Sequence, residues 1–560
     1  MNMDKKTKHM TNGEGRNSFS GSLGFVLAAA GSAVGLGNIW RFPYLAARDG
    51  GGLFLLIYII LAVTFGFTLL ITEVAIGRRT QQGPLTAYGV INKRWAFLGW
   101  LAFVVPYIIY PYYCVIGGWV LKYFATYLAF DGGLAADDSF FGGFITAQWE
   151  PLIFTIFFSL MCFFIVYRGV EKGIEKYSRI IMPALVIMVA SICVYSLFIS
   201  NTDANGETRT GLEGAAVYFI PNFEGVTLRR LMMICLDAMG QLFYSLSIAM
   251  GIMVAYGSYM KKTVNLGQAV DRIEIFDTLI AILAGLMIIP VVYVFMGTEG
   301  MKAGPGLMFI ALPKVFDSLG VFGMVIGMVF FLMVLFAALT SAVSILEAIV
   351  TSVKDKFGWT RSKSVIIMAG TGFVWSIVVC LGYNVWYFEL PLPNGATAQI
   401  LDIFDYVSNN VFMPVLAIFT CILIGWVAKP KLLVGEMRLN GYKFRRKTMY
   451  LVMLKFVAPI LLTVLLVSAF SSYSFSSILH GVSDIAGFIG GIPQLLSSMS
   501  PTTAFATVVA SLSVTITLFV MVAIMAQRRN RNIAGWLALS LIGSPLLMVI
   551  ILFAIGKNKQ

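Results

Sequence analysis

The strongest constraint in this 560-residue sequence is a succession of apolar runs. Each is close to the roughly 20 residues a helix needs to cross a bilayer. They fall near 23–44, 52–76, 97–127, 151–168, 179–200, 231–257, 271–297, 320–352, 363–382, 400–427, 450–470, 505–526 and 533–556. With 59% hydrophobic and only 12% charged residues, a soluble domain of this size could not cover its surface. Lipid-facing backbone must find its hydrogen bonds within the segment, and helices provide them. The sequence therefore predicts an all-α polytopic membrane protein.

The connections alternate in charge. KKTK, GRRTQQG with NKRW, YRGVEKGIEKYSR, YMKKT, KDKFGWTRSK, and KPKLL with YKFRRK form a basic set. FDGGLAADDSF, NTDANGETRTGLEG, MGTEG and WYFELPLPNG form the opposite set. The positive-inside rule assigns the basic set and the N-terminus to the cytoplasmic side of the cell inner (plasma) membrane. The net charge of +13 is thus read as an orientation signal, with no nucleic-acid partner expected. No secretory signal pattern is evident. Cys114, Cys162, Cys193, Cys235, Cys380 and Cys421 all lie in apolar runs without CxxC spacing, and read as small core residues. His9 and His480 lie outside the spans, so neither a zinc site nor a histidine-based catalytic triad is expected in the membrane.

One span is built to break. Residues 28–43 read AAAGSAVGLGNIWRFP, placing Gly31, Gly35, Gly37, Asn38, Arg41 and Pro43 in an apolar run. Glycine costs about 1 kcal/mol relative to alanine inside a helix. A buried Asn or Arg costs more in lipid. Freed backbone groups at membrane depth are tolerated only where they line a cavity or bind something. Such carbonyls can hold a cation, and the following half-helix can hold an anion at its N-terminus. Close helix packing explains Gly31 and Gly35 alone. The added polar residues favour a site. GQLFYSLSIAMG, residues 240–251, is a second interrupted run, with Gly240, Gln241, Ser245, Ser247 and Gly251. Paired interruptions point to a transporter with its site at the midplane.

GSAVGLGNIWRFP with RDGGG resembles the first helix of the neurotransmitter:sodium symporter family, including its bacterial LeuT-like amino-acid transporters. PYYCVIGGW, GQLFYSLS, FDTLIAILAG, FAALTSAVSILE and LDIFDYVSNN extend the resemblance over about residues 16–470. The family is itself a type case of inverted-repeat transporters. The resemblance implies a LeuT-type 5+5 inverted repeat with broken first and sixth helices, plus additional C-terminal transmembrane helices. The implied division is a cytoplasmic tail with the inner gate (1–22), a first five-helix repeat (23–200), an extracellular loop (201–230) and a second repeat (231–427). A cytoplasmic loop with the eleventh helix (428–470), an outer loop (471–504) and a C-terminal helical hairpin (505–560) follow.

The resemblance implies two Na⁺ sites. The first would use the Ala33 carbonyl, Asn38, Ser245 and Asp277, and the second the carbonyls of Gly31, Val34 and Ala337 with the hydroxyls of Thr340 and Ser341. These are oxygen donors, as a hard cation requires. The alternative for Thr340 and Ser341 is bonding to a carbonyl one turn back. Asp277 stands where LeuT-like members often carry Asn. Two Na⁺ would balance Asp277 and a substrate carboxylate, so no chloride requirement is expected. The implied substrate contacts are Ser32, Ala33, Leu36, Gly37, Ile109, Tyr113, Tyr244, Ser245, Ser247, Met250, Ser341 and Ile345, with Ala342 alongside. Gly35 replaces the Asp of amine-transporting relatives, so an amino acid is expected, hydrophobic or aromatic from the apolar lining.

The implied outer gate is Arg41 with Asp405, above Tyr113 and Tyr244. The inner gate is Arg16 with Asp355, near Tyr259 and Ser258. The family's N-terminal Arg-x-x-Trp here reads Arg16, Asn17, Ser18, Phe19. Glu73 is expected to receive hydrogen bonds from the break of the first span, while Glu347 has no assigned role. The expected function is Na⁺-coupled import of an amino acid by alternating access, without enzymatic activity. The alternative is an amino-acid sensor on a transporter scaffold that does not transport.

Overall fold

The computed structural model describes residues 18–470, apart from 203–205, 222, 224–225, 301–306 and 393–396, together with parts of 522–548. Among these residues nine helices are long and apolar enough to cross a membrane, or ten with one bent pair counted as a single span. The bent pair is Ser22–Ala33 with Gly37–Arg48, the first span. The second to fifth spans are Gly52–Thr80, Lys93–Leu128, Glu150–Tyr167 and Val170–Phe198. The seventh to eleventh are Leu266–Gly297, Val321–Phe357, Arg361–Leu381, Ile400–Val427 and Lys447–Ala469. Between them lies a divided sixth span, Leu228–Ser245 and Ile252–Ser258.

Several helices overrun their apolar runs at the basic end. The fifth begins at Val170 with a wide π turn to Glu175, inside a stretch expected as loop. Glu171, Lys172, Lys176 and Arg179 reach water there while Val170, Ile174 and Glu175 are buried, so the helix and its buried face both begin before the apolar run. The expected twelfth and thirteenth spans, the outer loop 471–504 and the N-terminal tail with Arg16 lie outside the described residues, save for the helix Ile533–Ile542.

The first, third, sixth and eighth spans meet at the centre. The eighth is buried along Ala337–Val353, including Ser341, Ser344, Glu347, Thr351 and Ser352. Polar residues on that stretch need partners: the first span supplies Ser32 to Ser341 and Ser344, the ninth supplies Arg361 to Glu347, and Ser352 bonds to the Ala348 carbonyl of its own helix. On the face carrying the acidic connections, the short helix Leu312–Ser318 and a π turn at Leu307–Ala311 cover the bundle. There the Phe309 ring lies 6.1 Å from the rings of Trp40 and Trp119.

Candidate functional site

The halves of the first span meet at 50° across residues 34–36. Val34 leaves helical geometry at ψ 88°, while its N–H still donates to the Ala30 carbonyl at 2.7 Å. The next turn, Gly37–Arg41, is a wide π turn. Gly35 and Gly37 do not adopt left-handed φ. They provide space. A Cβ on Gly35 would stand 2.5 Å from Ser341 Oγ and 2.9 Å from the Tyr113 hydroxyl, and one on Gly37 would stand 2.6 Å from the Tyr244 ring.

The sixth span divides differently. Gly240, Gln241 and Ser245 lie in continuous helix, so the break is shorter than the sequence reading placed it, at residues 246–251. Ser247, Ala249 and Gly251 take φ of 53°, 59° and 70°. A side chain in that region costs roughly 1–2 kcal/mol per residue. Two hydrogen bonds offset this: Ser247 Oγ donates to the Ser32 carbonyl at 3.2 Å, and the Ala249 N–H donates to Glu73 Oε1 at 2.7 Å. Glu73 therefore serves the sixth-span break and not the first, because its helix packs against the lower half Ile252–Ser258. The first break is held from across the centre, where Gln241 Nε2 donates to the Gly37 carbonyl at 2.8 Å.

Oxygen atoms converge at two places. At the first, Asn38 Nδ2 donates to Asp277 Oδ1 at 2.8 Å. Ser245 Oγ lies 2.7 and 2.9 Å from the two Asp277 oxygens and 3.2 Å from Asn38 Oδ1. All three side chains are buried. At the second, Ser341 Oγ donates to the Ser32 carbonyl at 3.0 Å. Thr340 Oγ1 donates to the Phe336 and Ala337 carbonyls at 3.0 and 3.1 Å, so back-bonding to its own helix does occur. The hydroxyl's lone pairs remain open for a cation. Gly31 lies beside Thr340, since a Cβ on it would stand 3.4 Å from Thr340 Cβ. Ser32, Ser247 and Ser344 join this cluster, with Ser32 Oγ 2.7 Å from Ser344 Oγ.

Between the two clusters lies a cavity of about 20 Å³ lined by Ser32, Ala33, Gly35, Gly37, Ile109, Tyr113, Tyr244, Ser247, Met250, Ser341 and Ile345. Leu36 reaches it through its N–H, which donates to the Tyr113 hydroxyl at 3.3 Å. Ser245 stands in the first oxygen cluster, and Ala342 is buried but does not line the cavity.

Below the cavity, at the end with the basic connections, Tyr259 O–H donates to Glu347 Oε1 at 2.7 Å. Arg361 donates to both Glu347 oxygens, at 3.0 and 2.6 Å. Glu347 is fully buried, and its carboxylate is thereby paired with a cation from the ninth span. By sequence alone, within KDKFGWTRSK, Arg361 reads as one more positive-inside charge. Phe19 plugs the same region, edge-on to Phe25, Tyr256 and Tyr259 with centroids at 5.6, 5.6 and 6.3 Å. Asp355 accepts from the Gly83 N–H at 2.6 Å, and the expected partner Arg16 lies outside the described residues. Above the cavity, Arg41 and Asp405 form no ion pair among the described residues. Arg41 instead borders a cavity of about 170 Å³ shared with Asp237, Tyr244 and Asn409. Asn409 Nδ2 donates to Asp405 Oδ1 at 2.5 Å and reaches the Tyr112 hydroxyl at 3.2 Å.

Two divided spans around a central cavity, with buried oxygen clusters on either side, define a membrane transporter of the LeuT type. Residues 16–137 and 146–499 match the sequence profile of the Sodium:neurotransmitter symporter family, and the chain belongs to that family. It is similar to an uncharacterized sodium-dependent transporter, YhdH, of Bacillus subtilis (strain 168), at 33% identity over 471 residues, 82% of this chain and 98% of the relative. The mouse sodium- and chloride-dependent GABA transporter 2 matches at 25% over 471 residues, 74% of this chain and 73% of the relative. Among solved structures, MhsT in complex with L-phenylalanine matches with a TM-score of 0.71 at 33% identity, covering 81% of this chain and all of MhsT. The chain is therefore a multi-pass membrane protein of a sodium-dependent transporter family, acting on small molecules.

Proposed function

We propose that this chain imports a hydrophobic or aromatic amino acid together with Na⁺ bound at two sites, without chloride, by alternating access. The observation that carries the reading is the convergence of Asn38, Ser245 and Asp277 beside the break of the first span. Three buried oxygen-bearing side chains with a full carboxylate suit a hard cation. A carboxylate this deep is costly without one. The first Na⁺ would add the Ala33 carbonyl. The second would use the carbonyls of Gly31, Val34 and Ala337 with Thr340 and Ser341. The substrate carboxylate would meet the Leu36 and Gly37 amides and the Tyr113 hydroxyl, and its amine would meet carbonyls of the two breaks and Ser341.

The apolar lining from Ile109, Met250 and Ile345 supports an apolar side chain, as does the phenylalanine carried by MhsT in its crystal structure. At about 20 Å³ the cavity has room for about one water molecule. Seating an amino acid therefore requires Tyr244 or Met250 to move, and Met250 is the more adaptable. The crowding about Gly35 leaves no space for an amine-pairing Asp. Residues 23–200 and 231–427 would form the two five-helix repeats, with the N-terminus in the cytoplasm below the inner membrane.

Thermal-shift measurement against the twenty amino acids tests this reading. Phenylalanine, leucine or tryptophan should raise Tm in Na⁺ and not in choline, and replacing chloride by gluconate should change nothing. A shift that needs chloride, or one indifferent to Na⁺, would overturn it.

A further inference from the structure

We propose that the groove between the tenth and eleventh spans, at the end with the basic connections, binds the headgroup of an anionic phospholipid. A cavity of about 590 Å³ lies there, far larger than the central one, lined in part by Trp426, Lys429, Lys431, Arg438, Lys447 and Lys455. It thus holds five cations. None of them forms an ion pair among the described residues, and the lining includes no carboxylate. The only acid between residues 429 and 447 is Glu436. It turns inward, where Arg78 reaches it at 2.9 Å and Arg79 at 3.7 Å. Among the described residues, the positive charge of the groove is therefore uncompensated.

Lys455 makes the site specific to the membrane boundary. It stands within the span Lys447–Ala469, about 12 Å along the helix from its start at 1.5 Å per residue. A lysine at that depth must reach the interface or a partner. Its ammonium lies 5.4 Å from the centroid of the Trp426 ring, and tryptophan favours the headgroup level. Next to that ring, at 5.6 Å between centroids, is Phe456, which with Val452 is about half exposed on the same helix. Cations at the basic end and exposed apolar side chains alongside match a phosphodiester joined to acyl chains. Free phosphate would use only the cationic part. Basic pockets between spans are a known form of lipid recognition.

The test is native mass spectrometry of the delipidated full-length chain, titrated with phosphatidylglycerol, with phosphatidylcholine, and with phosphatidylglycerol in the presence of inorganic phosphate. Phosphatidylglycerol should bind about tenfold more tightly than phosphatidylcholine, and millimolar phosphate should not displace it. The double variant Lys447→Gln with Lys455→Gln should lose that preference, since each lysine near a membrane surface contributes on the order of fivefold. Lys447→Arg with Lys455→Arg should retain it, as should Lys363→Gln, an exposed site on the ninth span. Equal binding of the two lipids by the wild-type chain, or displacement by phosphate, would overturn the proposal. A double Gln variant that melts like wild type yet still prefers phosphatidylglycerol would do the same.

Discussion

The two ends of the central cavity are closed by different means. At the basic end the barrier is buried and charged: Glu347 is held by Arg361 and Tyr259, and Phe19 is packed under three aromatic rings. Glu175 adds to it by accepting from the Ser20 N–H at 2.9 Å and from Arg179 at 2.6 Å, which ties the start of the first span to the fifth. At the other end Asn409 spans Asp405 and Tyr112, a cavity of about 170 Å³ lies beside Arg41, and Arg48 joins Asp49 and Asp237 while half exposed. Removing one partner of a buried pair costs about 3–5 kcal/mol, whereas an exposed pair is worth about 0–1 kcal/mol. The basic end is therefore sealed by buried, paired groups, whereas the opposite end keeps a cavity and half-exposed ions. In the proposed importer, the basic end would be the inner barrier.

The comparison breaks most visibly at Glu347. Glu347→Ala leaves Arg361 without its carboxylate and should cost about 3–5 kcal/mol. A cysteine placed at Ser258 should then label roughly a hundredfold faster from the basic side, and unchanged labelling would mean the network does not close that end. Phe19→Ala comes next, with an expected loss of about 3 kcal/mol and a lower Tm in thermal unfolding. Asn409→Ala, on the other side, removes a hydrogen bond to the Asp405 carboxylate worth about 1.5–3 kcal/mol, and should slow uptake roughly tenfold to a hundredfold in a transport assay. Arg48→Gln should have the smallest effect, under about 1 kcal/mol, read as a Km within a factor of about two of wild type. Losses at the outer positions equal to those at the inner ones would erase the difference between the two ends.

Much of this architecture is legible in the sequence because it is written in local chemistry. The first break shows itself through Gly35, Gly37 and Asn38 within a single apolar run. The sixth is fainter, since Ser247 and Ala249 take left-handed φ without being glycine, and only contacts from Ser32 and Glu73 hold them there. A sequence does not display that kind of support, so the boundary at Ser245 was misplaced towards Gly240. Glu347 and Arg361 are 14 residues apart on different helices, with a bend between them. Helical periodicity does not carry across that bend, so it cannot pair them. Glu175 was hidden for a related reason: the basic run around it resembles a loop, although the fifth span starts within it. Ile109, Met250 and Ile345, which line the central cavity, are among the contacts that the family resemblance implies; composition and periodicity alone do not single them out.

Coupling itself is best examined in proteoliposomes that hold the purified chain, by following tritiated phenylalanine with both solutions in gluconate. An inward Na⁺ gradient should drive accumulation above the external concentration, and replacing Na⁺ with K⁺ should leave only passive equilibration. Phenylalanine that binds without accumulating, or that accumulates equally in K⁺, would contradict a sodium-driven carrier.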